Sequence, residues 1–354
     1  GGGTLAYVDR FGELIVGPQS AGAVPGPACY MRGGTQPTIT DCNLVLGYLS
    51  PDNFLGGKMK LDVAESRKAI EEAVAKPLGI SIEDAAEGIV RIINVKMQEA
   101  CKAISTMRGH DLRDFMLLAF GGAGPLHSSQ IAQDLGMAGV IVPLYPGVYS
   151  AMGLVMSDVK HDYIRSRLTA LSSATEAQVN GVFAELEAQA RADLAQEHFT
   201  PAQSAIEYAL DMRYAGQGYE MTLPCPAPLQ AGDLQKLRAA FDEEHRKTFG
   251  HTAPNEPVEI VSYRLRGVGR VPPVDLPKYK PTGTTLQEAL REMRPARFDG
   301  KTIECPVYQR DKLDVGITFN GPALVDQLDC TTVIPPGQTV RIDDYRNMII
   351  SIGA

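Results

Sequence analysis

The chain has 354 residues, 44% of them hydrophobic and 21% charged, and a formal net charge of −8. This balance describes a folded globular protein of two or three domains and excludes a disordered chain. The acidic excess argues against a nucleic-acid backbone as partner, and no apolar run reaches the about 18 residues that a membrane helix needs.

The opening Gly1-Gly2-Gly3-Thr4 lacks a starting Met and runs into apolar, strand-forming residues. Residues 4–8 and 12–16 read as two strands around a turn at Asp9-Arg10-Phe11-Gly12. Residues 17–40 hold too many glycines and prolines for long regular elements, yet their apolar content indicates an ordered loop. A short helix is predicted over 41–49 with Asp41 as N-cap, and a second over 62–76 capped by Asp62. The strongest helix signal covers 81–107, where Ile89, Ile92, Ile93, Met97, Ala100 and Ile104 recur at helical spacing behind a Ser81 cap.

Residues 115–120 read as a buried strand ending in Gly121-Gly122-Ala123-Gly124, followed by a helix over 126–136 and a strand over 139–143. This order is α/β layering. An apolar helix follows near 150–157. A charged helix over 173–198 shows a contact face of Val179, Val182, Phe183, Leu186, Ala190 and Leu194. Strand-like segments at 205–223 and 257–269 flank a helix at 232–248. Residues 296–354 read as mostly β. The expected domains are 1–165, 166–280 and 281–354.

Three stretches can carry chemistry. The Gly121–Gly124 turn joins a strand to a helix, where glycines admit a ligand to the backbone and the helix start favours negative charge. It lacks the Gly-Lys-Ser/Thr of a Walker loop, and glycines at such turns also serve tight packing. The initial Gly1–Gly3 turn can cup phosphate with backbone N–H groups, or be a cloning scar. In the 17–41 loop, Arg32 can bind an anion or sit in a surface ion pair. Asp41 can hold Mg²⁺ through water, act as a base, or simply cap a helix. His127, on the first turn after the glycines, faces either a bound ligand or the core. Cys29, Cys42, Cys101, Cys225, Cys305 and Cys330 are scattered without a CxxC pair, as reduced thiols in the cytoplasm would be. No secretory leader is read at the start.

Taken together, Gly17-Pro18-Gln19-Ser20-Ala21-Gly22-Ala23, Pro25-Gly26-Pro27-Ala28-Cys29-Tyr30, Phe120-Gly121-Gly122-Ala123-Gly124-Pro125-Leu126-His127 and Ser150-Ala151-Met152-Gly153-Leu154 resemble the hydantoinase A / 5-oxoprolinase family. Asp211-Met212-Arg213-Tyr214-Ala215-Gly216-Gln217 and Gly321-Pro322-Ala323 extend the resemblance over nearly the whole chain. It implies the second lobe of an actin-, sugar-kinase- and heat-shock-ATPase-like nucleotide fold, followed by an α+β C-terminal region ending in a β-rich domain. It also implies ATP and Mg²⁺ as cofactors, with nucleotide contacts at Gly1, Gly2, Gly3 and Thr4 and at Gly121, Gly122, Ala123 and Gly124. Asp41, Arg32 and His127 are the catalytic candidates, and Asp41 is also the metal candidate.

The implied activity is ATP-dependent hydrolysis of a cyclic amide, with ketone carboxylation as the alternative and a non-catalytic assembly module as a reading of another class. The implied partners are a hydantoinase B-type subunit, a small lactam, hydantoin or ketone substrate, and an N-terminal first lobe that this sequence does not include.

Overall fold

In the computed structural model, which describes residues 2–353, the first element is a hairpin. Strands β1 (Thr4–Val8) and β2 (Leu14–Ser20) pair antiparallel. The Asp9 carboxylate closes the turn by accepting from the Phe11 and Glu13 N–H groups at 2.8 and 2.9 Å. β2 runs further than predicted, to Ser20, which pairs with Thr4 beyond a register shift where Gly17 takes a left-handed φ of +64° that glycine permits.

Helix α1 (Ile39–Val45) begins earlier than expected. Its N-cap is Thr38, and Asp41 is the third helical residue of a reciprocal capping box. Helix α2 (Val63–Ile70) has the expected Asp62 cap and continues through a π turn at Glu71–Ala75. Helix α3 (Ile82–Ile104) starts at Ser81 as predicted. Its first half buries Ala85, Ala86 and Ile89 with Ala6 and Val16 of the hairpin, Ile39, Leu46, Ile70 and Val74. Its last turn does not follow: Ile104 is 67% exposed.

Strand β3 (Met116–Leu118) pairs parallel with β4 (Gly139–Val142) across helix α4 (Gly124–Asp134). This is the expected layering, with one correction. β3 is an exposed edge strand, and Met116 and Leu118 are each 39% exposed. Helix α5 covers Tyr149–Val155.

Residues Leu154–Val274 form a compact unit of their own. It contains β5 (Val159–Ala170), α6 (Glu176–Gln196), β6 (Ser204–Tyr214), β7 (Met221–Pro224), α7 (Asp233–Phe249) and β8 (Val258–Gly269). The strands form an antiparallel sheet in the order β5-β8-β6-β7. All six residues of the predicted contact face of α6 are buried, five of them packed with Phe241 of α7 and with Leu210, Tyr263 and Leu265 of the sheet. β5 escaped the sequence reading because Lys160, Asp162, Arg165 and Arg167 break its apolar signal, and only its pairing with β8 makes it a strand.

The chain then returns. Strands β9 (Leu290–Phe298), β10 (Lys301–Gln309), β12 (Ala323–Asp326) and β13 (Thr331–Ile334) form one sheet. Strands β11 (Thr318–Asn320), β14 (Thr339–Ile342) and β15 (Met348–Ser351) extend the other, with β15 antiparallel to β4. Of the expected stretches, the β-rich 281–354 therefore folds in one compact unit with Gly1–Gly153. Among the described residues, no helix is long and apolar enough to cross a membrane.

Candidate functional site

A cavity of about 380 Å³ lies where three parts of that larger unit converge. Gly2 and Thr40 form one wall, the Gly121–Gly124 turn a second, and the connection from Asp326 to Thr331 between β12 and β13 a third. The Gly2 carbonyl accepts from Thr40 N–H at 3.0 Å, and a Cβ on Gly2 would stand only 2.0 Å from the Thr40 hydroxyl. Only glycine permits that approach. Gly121 has φ +82°, the left-handed region that lets the chain leave β3 and enter α4 within a few residues. Ala123, the N-cap of α4, has no side-chain cap hydrogen bond. Pro125 has no N–H and the Leu126 N–H donates to the Ala123 carbonyl at 3.2 Å, so the helix start offers the cavity the Gly124 N–H and its positive dipole end.

Two acceptors in the lining have no partner. Asn43 is 1% exposed and its Oδ1 is unpaired. Asp329 uses Oδ2 to accept from Gly147 N–H at 2.9 Å, while its Oδ1 is buried and unpaired. Leaving such groups dry costs about 1–3 kcal/mol each, so the cavity suits an occupant that brings donors or a cation. Asp326 is already committed: Arg294 Nη2 donates to it at 2.9 Å and Thr331 Oγ1 at 3.1 Å. No lysine or arginine lines the cavity among the described residues.

The predicted site residues divide. Gly2 and Gly121–Gly124, far apart in sequence, meet at this one cavity. Gly1 lies outside the described residues. The Gly3 carbonyl accepts from Ala21 N–H at 2.8 Å, and Thr4 pairs with Ser20 in the hairpin.

Asp41 is fully buried and does not line the cavity. Its Oδ1 accepts from Cys29 N–H at 2.8 Å and Ser66 Oγ at 2.7 Å. Its Oδ2 accepts from Ala28 N–H at 3.2 Å, Thr38 N–H at 2.9 Å and Thr38 Oγ1 at 2.7 Å. A carboxylate so occupied latches the loop to α1 and α2 and offers little to a metal ion. Among the described residues no group of three or more His, Cys, Asp or Glu side chains is placed to hold a metal.

His127 is 5% exposed, and its Nδ1 is 2.8 Å from Asn94 Oδ1. Since an amide oxygen only accepts, Nδ1 carries the proton. Burial pulls the imidazole pKa down to about 4, so the ring is neutral at pH 7. It lies behind the cavity, whose lining includes its neighbour Leu126 but not His127 itself. Arg32 is exposed and has no ion pair among the described residues. Cys29 is fully buried, and burial pushes its thiol well above the ordinary range, as expected of a packed side chain.

Sequence reading missed Asn43 and the whole wall from Asp326 to Thr331. Asn43 reads as one more polar residue of a short helix. The wall lies more than two hundred residues from the glycine turn, and only the return of the C-terminal strands to the sheet brings it there.

The family model described as "Hydantoinase/oxoprolinase" matches residues 1–163, and that described as "Hydantoinase/oxoprolinase C-terminal domain" matches residues 169–351. Caprolactamase subunit alpha of Pseudomonas jessenii is 34% identical over 351 residues, covering 97% of this chain and 50% of that protein. The acetophenone carboxylase gamma subunit of Aromatoleum aromaticum is 37% identical over 359 residues, covering 98% of this chain and 49% of that protein. The crystal structure of the ATP-dependent caprolactamase from Pseudomonas jessenii superposes with a TM-score of 0.81 at 32% identity, over 100% of this chain and 52% of that one. The chain thus spans about half the length of the curated relatives it matches.

Proposed function

This chain belongs to the hydantoinase/oxoprolinase family, and on that premise we propose that it supplies part of the nucleotide site of an ATP-dependent enzyme that hydrolyses cyclic amides. The observation that carries the reading is the convergence of Gly2 and the Gly121–Gly124 turn on a single cavity. Its volume is within the range of small-molecule sites, roughly 300–1,000 Å³. The Gly124 N–H and the positive dipole end at the start of α4 suit a phosphate oxygen.

Bound ATP supplies a phosphoryl group that turns an unreactive amide carbonyl into a better electrophile. The chain's own part is to hold and orient. Among the described residues the lining has no basic side chain, so a triphosphate needs its charge balanced by Mg²⁺ or by residues from elsewhere. Asp329, with an oxygen unpaired, is the better-placed carboxylate to meet a hydrated Mg²⁺; Asp41 is already saturated. A B-type partner subunit completes the proposed enzyme.

A second reading, phosphoryl activation of a ketone for carboxylation, is supported by the acetophenone carboxylase subunit, whose identity to this chain is 37%, against 34% for caprolactamase subunit alpha. Substrate-dependent ADP release by the complete complex tests both. A lactam or hydantoin should trigger release on the first reading, and a ketone with bicarbonate on the second. Gly122→Val, whose side chain would press on the Asp329 carbonyl 3.1 Å from the new Cβ, should abolish release with assembly intact. Unchanged release in that variant would refute the site.

A further inference from the structure

A second cavity, of about 430 Å³, lies against the other side of Leu126, which lines both. It is built from α3, α4, the β9–β10 turn and β13, and nothing in the nucleotide reading uses it. Its floor holds Ser129, 1% exposed, whose hydroxyl has no hydrogen-bond partner. An unsatisfied buried hydroxyl costs about 1–3 kcal/mol unless an occupant completes it.

The rim carries the charges. Glu87 is already occupied, accepting from Arg297 Nε at 2.9 Å and from Gly300 N–H at 3.0 Å. Asp134 accepts from Gln98 Nε2 at 2.7 Å and Gln130 Nε2 at 2.8 Å. Arg91 and Asp299 are different. Both line the cavity, both are exposed, and neither has an ion pair among the described residues. Arg91 follows Glu87 by one helical turn, on the same face, and Glu87 is bonded to the residue next to Asp299. One free cation and one free anion therefore share a rim above a mixed floor, where Ser129 stands among Leu126, Phe298 and Val333.

We propose that this second cavity binds a neutral α-amino acid with a polar side-chain tip. Its carboxylate pairs with Arg91, its ammonium with Asp299, and its side chain reaches the Ser129 hydroxyl. A phosphate or simple dianion is opposed by the Glu87, Asp134 and Asp299 carboxylates, and a simple amine leaves Arg91 without a counterion. An acidic side chain would approach the same carboxylates. The proposal does not depend on the nucleotide reading.

The test is calorimetric titration of the full chain with L-glutamine, L-leucine and L-glutamate. Saturable binding of glutamine, weaker binding of leucine and weaker binding of glutamate are expected. Arg91→Gln and Asp299→Asn should each weaken glutamine about tenfold or more, the loss of one charge-assisted contact. Asn tolerates the left-handed φ of +47° at position 299, so that variant keeps the turn. Ser129→Ala should bring glutamine and leucine to within about twofold of each other, and Gly122→Val should leave glutamine binding intact. The proposal is overturned if none of the three amino acids binds, if both rim variants bind glutamine normally, if leucine equals glutamine in the parent chain, or if Gly122→Val abolishes binding.

Discussion

At the scale of single residues, Asp41 and His127 show how a chemically suggestive side chain becomes structural. Asp41 receives five hydrogen bonds in full burial. Asp41→Ala strips five donors of their acceptor and should cost about 3–5 kcal/mol, by analogy with breaking a buried charged pair. Chemical denaturation measures this. Normal stability with lost ADP release would instead restore a chemical role. His127 gives a pH signature. Its folded pKa of about 4 lies below the ordinary 6.5, so the unfolded chain binds the proton that the folded chain refuses. Stability is then level above about pH 7 and falls as pH drops from 6.5 toward 4, by on the order of 3 kcal/mol in total. His127→Gln should flatten this fall between pH 7 and 5, where few carboxylates titrate. An unchanged slope would mean that the ring is protonated in the folded state.

At the scale of elements, one arginine joins three parts of the larger unit. From β9, Arg297 donates to Glu87 at 2.9 Å and to Asp84 at 2.5 Å, both on α3. Its N–H donates to the Leu46 carbonyl at 2.9 Å, just beyond α1, and its carbonyl accepts from Tyr48 Oη. The guanidinium is 17% exposed and Glu87 22%, so screening is partial. Arg297→Ala should lower stability by about 1–3 kcal/mol, read from the midpoint of a urea transition, and a change below about 0.5 kcal/mol would mean that the backbone contacts alone hold β9 in place.

Elements of this kind also mark where sequence reading succeeds. The Ser81 and Asp62 caps and the apolar stripe of α6 are local signals, and the structure bears them out. The site is half legible for the same reason. A glycine turn between strand and helix announces itself. Asn43 and Asp329 become site residues only through contacts made across the whole fold, as β5 becomes a strand only beside β8.

At the scale of the whole molecule, the exposed edge of the main sheet sets how the chain behaves in solution. β3 ends the order β11-β14-β15-β4-β3, so among the described residues its outer backbone groups have no strand beside them. Met116 and Leu118 are each 39% exposed, and the flanking Phe115 and Phe120 are 48% and 46% exposed. An apolar, unpaired edge is a template for pairing with another chain. The net charge of −8 opposes that contact, but the repulsion is screened beyond about 10 Å at 0.1 M salt. The isolated chain should therefore self-associate with rising concentration, and more strongly at about 0.5 M than at about 0.02 M salt, as sedimentation velocity would show. Leu118→Lys separates the causes. It brings the net charge nearer zero, which on electrostatic grounds alone favours association. It also places at the edge the residue that natural sheets use to block pairing. Reduced association in this variant, with an unchanged thermal transition, identifies β3 as the contact; association equal to or stronger than that of the parent would assign it to another surface.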